Sequence, residues 1–178
     1  MDKKELRSYI RMQKQQFTDE ALVELSLPIM KRLMAHPKVK HAQTVLFYYS
    51  LKDEVHTHTT IQQLADEGKK VLLPAIIDGE NIELRYYESP KDVERGFFNI
   101  MEPVGKAIQE EEYGKIDVAI IPGMGFDSRN NRLGRGKGYY DRLLVKMQEV
   151  YKIGVCFDFQ KMPGIPADAH DIKMDEII

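Results

Sequence analysis

Residues 116–141 read IDVAIIPGMGFDSRNNRLGRGKGYYD, an apolar run followed by a turn rich in glycine and basic residues. Apart from Asp117, the run 116–121 is apolar, as expected of a strand that is covered on both faces of a sheet. In the turn, three glycines alternate with Arg135 and Lys137. Successive glycines leave backbone N–H groups uncovered and permit positive φ, so the turn can form a concave anion site. The stretch therefore predicts a buried strand that leads directly into a phosphate-binding loop.

The residues after the turn agree with a phosphate site. An apolar pattern of helical spacing begins near Tyr139, and a helix N-terminus adds partial positive charge for an anion. Asp141 is a hard oxygen ligand that can hold Mg²⁺ beside phosphates. The turn is not a Walker A loop, because Lys137 is followed by Gly138 and not by Ser or Thr. A solvated basic turn without a ligand remains the alternative at this point.

The rest of the chain predicts an α/β fold. Two apolar runs, 44–49 and 71–74, are separated by a helical pattern over 57–67, a β-α-β unit that favours parallel pairing. Residues 82–86 alternate between apolar and polar, which indicates a strand with one wet face. A further apolar run at 151–157 gives another buried strand. We expect one domain, residues 1–178, built as a three-layer sandwich around a mainly parallel, Rossmann-like central sheet.

The first forty residues predict two helices. The first spans about Lys3 to Phe17 and carries Lys3 and Arg7 on one side, where a solvated cationic face is the alternative to a binding role. Thr18 is expected to cap the second helix, and Pro28 to kink or split it. In parallel sheets, ligands gather beyond the carboxyl ends of the strands. Because the loops after Tyr49 and residue 121 both leave such ends, Glu54 is expected to share a cleft with the glycine-rich turn.

Composition narrows the class of function. The formal net charge of the 178 residues is −2, whereas a dedicated nucleic-acid binder is more often basic overall. Cys156 is the only cysteine, so no internal disulfide can form and a reducing compartment is expected. No apolar run approaches the length of a membrane span, and the charged N-terminus does not resemble a signal peptide. We expect a cytoplasmic monomer that acts on small molecules, without nucleic-acid or membrane partners.

Four stretches of the chain resemble the 5-formyltetrahydrofolate cyclo-ligase family, and they follow one another in the same order as in the family. Residues 131–141 resemble the family signature, and residues 3–7 match its Lys-x-x-Leu-Arg element. Residues 50–54 are similar to a segment that ends in a substrate-binding glutamate, and Asp171 lies in a closing Asp-x-Lys-x-Asp-Glu pattern. The resemblance implies that Mg²⁺ and ATP drive the conversion of 5-formyltetrahydrofolate to 5,10-methenyltetrahydrofolate, with release of ADP and phosphate.

The resemblance also implies roles for residues that match the family motifs. Arg135 and Lys137 would be catalytic, and Asp141 and Asp171 would hold Mg²⁺. Glu54 would accept hydrogen bonds from the amino-pyrimidine edge of the pterin. The implied ATP-binding residues are Lys3, Lys4, Glu5, Leu6, Arg7, Arg132, Leu133, Gly134, Arg135, Gly136, Lys137, Gly138, Tyr139 and Tyr140. The implied substrate-binding residues are Arg7, Tyr49, Glu54, Arg135, Gly136, Lys137, Gly138 and Tyr139.

Two other functions stay open from the sequence. A single-stranded RNA-binding module could use Arg135 and Lys137 as charges and Tyr139 and Tyr140 as stacking platforms. A degenerate relative could bind the folate without turnover. Asp127, in the same stretch, has no assigned role.

Overall fold

The computed structural model describes residues 1–96 and 99–178, and the elements named below lie within those ranges. Three short 3-10 turns accompany them at Pro90–Asp92, Glu110–Lys115 and Asp158–Gln160. The α-helices are α1 Lys3–Lys14, α2 Asp19–Ala35, α3 Pro37–His41, α4 His58–Asp66 and α5 Tyr139–Val145. The strands are β1 Thr44–Leu46, β2 Lys70–Ile76, β3 Ile82–Tyr87, β4 Val93–Arg95, β5 Met101–Pro103, β6 Val118–Ile121, β7 Gly125–Asp127, β8 Arg132–Leu133, β9 Tyr151–Gly154, β10 Lys161–Met162 and β11 Glu176–Ile177.

A six-stranded sheet with the order β11-β9-β6-β1-β2-β3 forms the centre of the molecule. Its neighbouring strands are parallel except for β3, which pairs antiparallel to β2 at the edge. The strand order changes direction at β1: β2 and β3 lie on one side of it, and β6, β9 and β11 lie on the other. Such a reversal is where ligands bind in open α/β sheets, because the loops leaving the two strands diverge there. The predicted mainly parallel α/β sheet is confirmed.

Apolar residues on the two faces of this sheet form two separate cores. Helices α2 and α4 cover the first face, and α5 and the turn Glu110–Lys115 cover the second, which gives the predicted three layers. The first core includes Leu22, Ile29, Leu33, Val45, Ile61, Leu64, Val71 and Ile120. The second core includes Leu46, Leu72, Leu84, Tyr113, Ile121, Leu143, Leu144 and Met147.

Helix α1 packs outside these layers, against a small sheet of order β10-β7-β8. The contact is a third apolar cluster that unites α1 with the segment carrying the glycine-rich turn. Its members are Leu6, Ile10, Met124, Leu133, Met162 and Ile165. Their packing sets α1 directly beside the turn between β8 and α5.

Three local expectations were wrong in detail. β1 ends at Leu46 and not at Tyr49, although the Phe47 N–H still donates to the Leu72 carbonyl. Thr57 precedes α4 but makes no capping hydrogen bond, because its hydroxyl oxygen accepts from the Ser50 N–H at 3.1 Å while its hydrogen goes to the Tyr48 carbonyl at 2.7 Å. Pro28 does not split α2, which runs unbroken; Pro28 lies on the exposed side, where water can satisfy the carbonyl that loses its partner.

Across residues 1–96 and 99–178, every helix is too short or too polar to cross a lipid bilayer.

Candidate active site

The glycine-rich turn, residues 134–138, connects β8 to α5. Gly136 has φ +107° and Gly138 has φ +72°, conformations that residues with a side chain rarely adopt. Gly138 is also the N-cap of α5 and supplies no side-chain cap. The turn therefore presents bare main chain and a helix N-terminus, as the sequence predicted. Arg135 and Lys137, which alternate with the glycines, are both exposed.

Helix α1 contacts the turn through Arg7. The Arg7 Nε donates to the Gly134 carbonyl at 2.7 Å, and a Cβ added to Gly136 would lie 3.5 Å from the Arg7 guanidinium. The side chains of Leu6 and Leu133 are buried in the third cluster, so they support the site from below. Lys4 is exposed on the same helix.

The first turn of α1 is held by a capping box. Glu5 accepts a hydrogen bond from the Asp2 N–H, and Asp2 in turn accepts from the Glu5 N–H at 2.8 Å. This arrangement fixes the start of α1 and gives Glu5 a structural role. Lys3, in the same turn, points its ammonium toward the C-terminal segment.

Arg132 is held rigidly beneath the turn. Its Nε donates to the Pro122 carbonyl at 2.7 Å, and its guanidinium lies 4.9 Å from the centre of the Tyr140 ring. Burial raises the pKa of the Tyr140 hydroxyl, so the ring stays neutral beside this cation. Arg142 similarly covers a face of Tyr139 at 5.2 Å. A cation therefore lies over one face of each ring.

Three carboxylates surround Arg132. Burial lowers the pKa of its guanidinium, while Asp141, Glu54 and Asp171 lie close enough to oppose that shift. The charges of the predicted pterin-binding glutamate and of both predicted metal ligands thus act on the same cation.

Glu54 and the glycine-rich turn meet at Arg135. The Arg135 Nη2 lies 3.1 Å from Asp53 Oδ1 and 3.5 Å from Glu54 Oε2. Glu54 is oriented by the Leu51 N–H, which donates to its Oε1 at 2.8 Å, and its side chain is only 12% exposed. The loop that follows β1 and the glycine-rich turn that follows β8 therefore meet, and we call the region that they share the cleft.

Asp141 and Asp171 also lie close together. Asp141 Oδ1 accepts from the N–H of Ile172, the residue after Asp171, at 3.3 Å, so the Asp141 carboxylate lies beside the main chain next to Asp171. Mg²⁺ commonly uses one or two carboxylates and completes its shell with phosphates and water, so two aspartates are enough ligands from the protein. No larger group of three or more candidate metal-binding side chains occurs in the described part of the chain.

Asp171 has a partner of its own. Its Oδ2 accepts from Lys3 Nζ at 2.6 Å and from the Asp168 N–H at 2.9 Å. Burial acts to raise the pKa of Asp171, but the Asp168 N–H and the Lys3 ammonium outweigh it and lower the pKa. The sequence predicted phosphate binding for Lys3 and metal binding for Asp171, whereas the structure pairs the two with each other.

The predicted aromatic residues do not converge on one surface. Tyr49 packs against the first core and stacks on His58, with ring centres 3.7 Å apart, whereas Tyr139 packs against the second core. The Tyr139 hydroxyl donates to the Asp78 carbonyl at 3.4 Å, so that ring contacts the β2–β3 turn. Tyr49 and Tyr139 accordingly approach the cleft from opposite faces of the sheet.

The sequence did not single out Lys14, Asp53 and Asp168, and it left Asp127 without an assigned role. Lys14 and Asp53 join the Arg135 contact, and Asp168 joins Lys3. Lys14 lies seven residues after Arg7, on the same face of α1, so its spacing was an available signal. Asp127 is structural: its carboxylate accepts from the N–H groups of residues 129, 131 and 165 and from the side-chain amide of residue 131.

A sequence profile described as the 5-formyltetrahydrofolate cyclo-ligase family matches residues 1–178. The chain belongs to this family. As a member, it is a ligase, and the resemblance seen in residues 3–7, 50–54 and 131–141 is confirmed.

Relatives of this cyclo-ligase family member cover almost its whole length. The 5-formyltetrahydrofolate cyclo-ligase of Mus musculus is 32% identical over 187 residues, which span 99% of this chain and 92% of that protein. The Escherichia coli K12 enzyme of the same name is 30% identical over 174 residues, 95% of each chain. An NMR structure of Aquifex aeolicus 5,10-methenyltetrahydrofolate synthetase matches with a TM-score of 0.85 at 34% identity, over 99% of this chain and 89% of that one.

A second solved structure supports the same fold. The 5,10-methenyltetrahydrofolate synthetase of Mycoplasma pneumoniae matches with a TM-score of 0.80 at 28% identity, over 100% of this chain and 98% of that one. The α/β architecture of this cyclo-ligase is therefore the architecture of the family.

Proposed function

We propose that the chain uses ATP and Mg²⁺ to convert 5-formyltetrahydrofolate to 5,10-methenyltetrahydrofolate, releasing ADP and phosphate. The observation that carries the proposal is the meeting of Arg135, from the phosphate-binding turn, with Glu54, from the loop after β1. This contact joins a site for a triphosphate to a site for a pterin. The family membership and the names of the relatives support the same reaction.

The chemistry follows from the poor leaving ability of a formamide oxygen. Transfer of the γ-phosphoryl group from ATP to the formyl oxygen makes a good leaving group and releases ADP. The N10 nitrogen then attacks the activated formyl carbon, the ring closes, and the C–O bond breaks as phosphate departs with the bonding electrons. The N10 proton passes to solvent.

The protein contributes positioning and charge neutralisation, which dominate catalysis of phosphoryl transfer. Lys137 and Arg135 project from the turn, where they would neutralise charge that develops on the transferred phosphoryl group. The bare amides of residues 134–138 would hold the phosphate oxygens, aided by the N-terminus of α5. Arg7 and Arg132, which flank the turn from below, would add fixed positive charge.

Asp141 and Asp171 would hold Mg²⁺. When bound, the ion supplies neutralisation of phosphate charge and a fixed orientation for the triphosphate. Because Asp171 pairs with Lys3 in this structure, Lys3 would turn toward a phosphate when the ion takes its place. Lys3 therefore keeps its predicted role in ATP binding within this proposal.

Glu54 would orient the folate. A carboxylate can accept two parallel N–H bonds from an amino-pyrimidine edge, and the limited exposure of Glu54 strengthens such bonds. Tyr49, at the carboxyl end of the β1 segment, would line the pocket with its ring fixed against His58. In this proposal, N5 and its formyl group would lie between Glu54 and the turn.

The decisive experiment follows the methenyl-folate chromophore after protein, Mg-ATP and 5-formyltetrahydrofolate are mixed. We expect product to form in proportion to ADP, and neither to form without ATP or after chelation of Mg²⁺. Folate binding without ADP release at high enzyme concentration would identify a degenerate relative and overturn the proposed reaction.

A further inference from the structure

Four charged side chains form a cluster that joins three separate parts of the chain. We call it the Asp53 cluster: Lys14 from α1, Asp53 and Glu54 from the loop after β1, and Arg135 from the glycine-rich turn. Asp53 is its centre, because its Oδ2 lies 3.3 Å from Lys14 Nζ and its Oδ1 lies 3.1 Å from Arg135 Nη2. Only Arg135 and Glu54 have roles in the proposed reaction.

Lys14 is an anchor and not a surface charge. Its side chain is 4% exposed, and within the described residues its ammonium donates to Asp53. Burial lowers the pKa of Lys14, and the negative charge of Asp53 opposes that shift. A buried ammonium is costly unless a carboxylate pairs with it, so Lys14 and Asp53 hold each other in place.

Arg135 depends on this anchored carboxylate for its orientation. Its side chain is 43% exposed and stands between two glycines, so apolar packing does not fix it. Among the described residues, its contacts with Asp53 and Glu54 all use Nη2. Those contacts leave Nε and Nη1 as donors for phosphate or formyl oxygens. Asp53 therefore orients the guanidinium through Nη2 alone.

Asp53 has a stronger hold on Arg135 than Glu54 has. The Glu54 oxygen lies farther from Nη2, at 3.5 Å, and Glu54 is the carboxylate proposed to bind the pterin. When the pterin binds, Asp53 becomes the contact that still fixes Arg135. Burial acts to raise the pKa of Asp53, but Lys14 and Arg135 outweigh it and lower the pKa, so the carboxylate stays ionised.

We propose that Asp53 is the positioning residue for Arg135, that buried Lys14 anchors Asp53, and that this pair sets the guanidinium for phosphoryl transfer. The inference rests on the proposed function for the last step alone. The orientation of Arg135 can be measured without turnover. Asp53 and Lys14 have no substrate-binding role in the proposed reaction, and their effect would pass through Arg135.

The kinetic test compares Asp53→Asn and Lys14→Met with the wild-type chain. The asparagine keeps the shape and still accepts from Lys14, but it loses the charge that holds Arg135. We expect kcat to fall about 10- to 100-fold, as for a misplaced catalytic group, with both KM values within about threefold. Lys14→Met should lower kcat in the same direction by less. Arg11→Met removes an exposed cation from the same helix and should leave kcat unchanged.

A second measurement reads the position of Arg135 directly. In protein labelled with ¹⁵N-arginine, the Nε–Hε signal that disappears in Arg135→Lys identifies this side chain. We expect restricted motion of that signal in the wild type and in Arg11→Met, and increased motion in Asp53→Asn and Lys14→Met. This signal can be measured whether or not the enzyme turns over.

The outcomes separate this inference from the proposed function. Equal Arg135 mobility in the wild type and Asp53→Asn would overturn the positioning role whatever the activity. A mobile Arg135 with wild-type kcat would show that its orientation does not matter for the reaction and would overturn the catalytic part. A wild-type chain that makes no methenyl-folate would refute the proposed function, while the mobility comparison would still decide whether Asp53 positions Arg135.

Discussion

Helix α1 places a lysine at each end, and the two lysines meet carboxylates in different surroundings. At the C-terminal end, the Lys14 side chain is 4% exposed and pairs with Asp53. At the N-terminal end, Lys3 pairs with Asp171 and with Asp168, whose side chain is 72% exposed. Both are ion pairs on the rim of one cleft, yet burial distinguishes a fixed anchor from an exchangeable contact.

The difference matters because the proposed reaction brings in a polyanion and a cation. A buried ammonium cannot leave its carboxylate without a large desolvation cost, so Lys14 and Asp53 should stay paired through the cycle. The Lys3 side chain is 22% exposed, more than that of Lys14, so water can replace its partners at a smaller cost, and in the proposed reaction Lys3 would turn to phosphate and Asp171 to Mg²⁺. One end of α1 would hold the geometry, and the other would respond to the ligands.

The largest effect on activity is expected at a lysine that belongs to neither of these ion pairs. Lys137 is exposed on the turn and has no carboxylate within 4 Å among residues 1–96 and 99–178, so its charge is available to phosphate. Lys137→Ala should lower kcat by about 10³-fold or more with an unchanged melting temperature. Lys146→Ala, which removes a surface cation paired with Glu110, is the matched control. Unchanged turnover in Lys137→Ala would remove Lys137 from the mechanism.

A pair of alanine variants tests the anchor against the exchangeable contact. Asp53→Ala leaves the Lys14 ammonium buried without its partner and should lower the free energy of unfolding by about 2–4 kcal/mol. Asp168→Ala removes an exposed partner of Lys3 and should cost about 0–1 kcal/mol. Urea denaturation measures both. Equal losses of unfolding free energy in the two variants would contradict the proposed difference between the two ends of α1.

A measurement of Mg²⁺ binding tests the Lys3–Asp171 pair at the N-terminal end of α1. Asp171→Asn removes a charged oxygen from the pair that would hold Mg²⁺, and we expect its apparent Kd to rise about tenfold. Calorimetric titration of Mg²⁺ in the presence of a non-hydrolysable ATP analogue gives the constant. Asp168→Asn, three residues away and equally conservative, is the control. Wild-type affinity in Asp171→Asn would leave Asp171 as a partner of Lys3 alone.

The smallest effect is on the stability of the protein in acid. The pKa values of Asp53 and Asp171 are lower in the folded chain than their ordinary value, so the folded state binds these protons less readily than the unfolded state. Their stabilisation is complete above the ordinary value, near pH 4, and is lost as the pH falls through the lower, folded values. We expect the free energy of unfolding to fall less steeply between about pH 5 and 3 in an Asp53→Asn, Asp171→Asn double variant. An unaltered slope would contradict the lowered pKa values.

Much of the main-chain part of the site could be predicted from the sequence. Alternating glycines required an unusual backbone, and Gly136 and Gly138 have positive φ. The meeting of Glu54 with Arg135 followed from one rule, that the loops after parallel strands leave the same edge of the sheet. These predictions depend on local conformation and on topology, which a sequence pattern reports.

The partners of the charged side chains could not be predicted. A lysine in a helical pattern usually faces water, so burial of Lys14 is visible only once Asp53 is brought to it. Lys3 and Asp171 each suggested an external ligand, and their pairing depends on the C-terminal segment folding back to α1. Thr57 had the residue type of a helix cap, yet tertiary contact with the Tyr48 carbonyl took its hydroxyl.

The Lys3–Asp171 contact spans 168 positions of the chain, and this separation affects how the protein reaches its working form. Closing so long a loop costs conformational entropy, which grows only with the logarithm of its length, but the closure slows folding. During synthesis, Lys3 cannot meet Asp171 until the segment that carries Asp171 has been made. Under the proposed function, two side chains that would bind Mg-ATP are therefore brought together only late in folding.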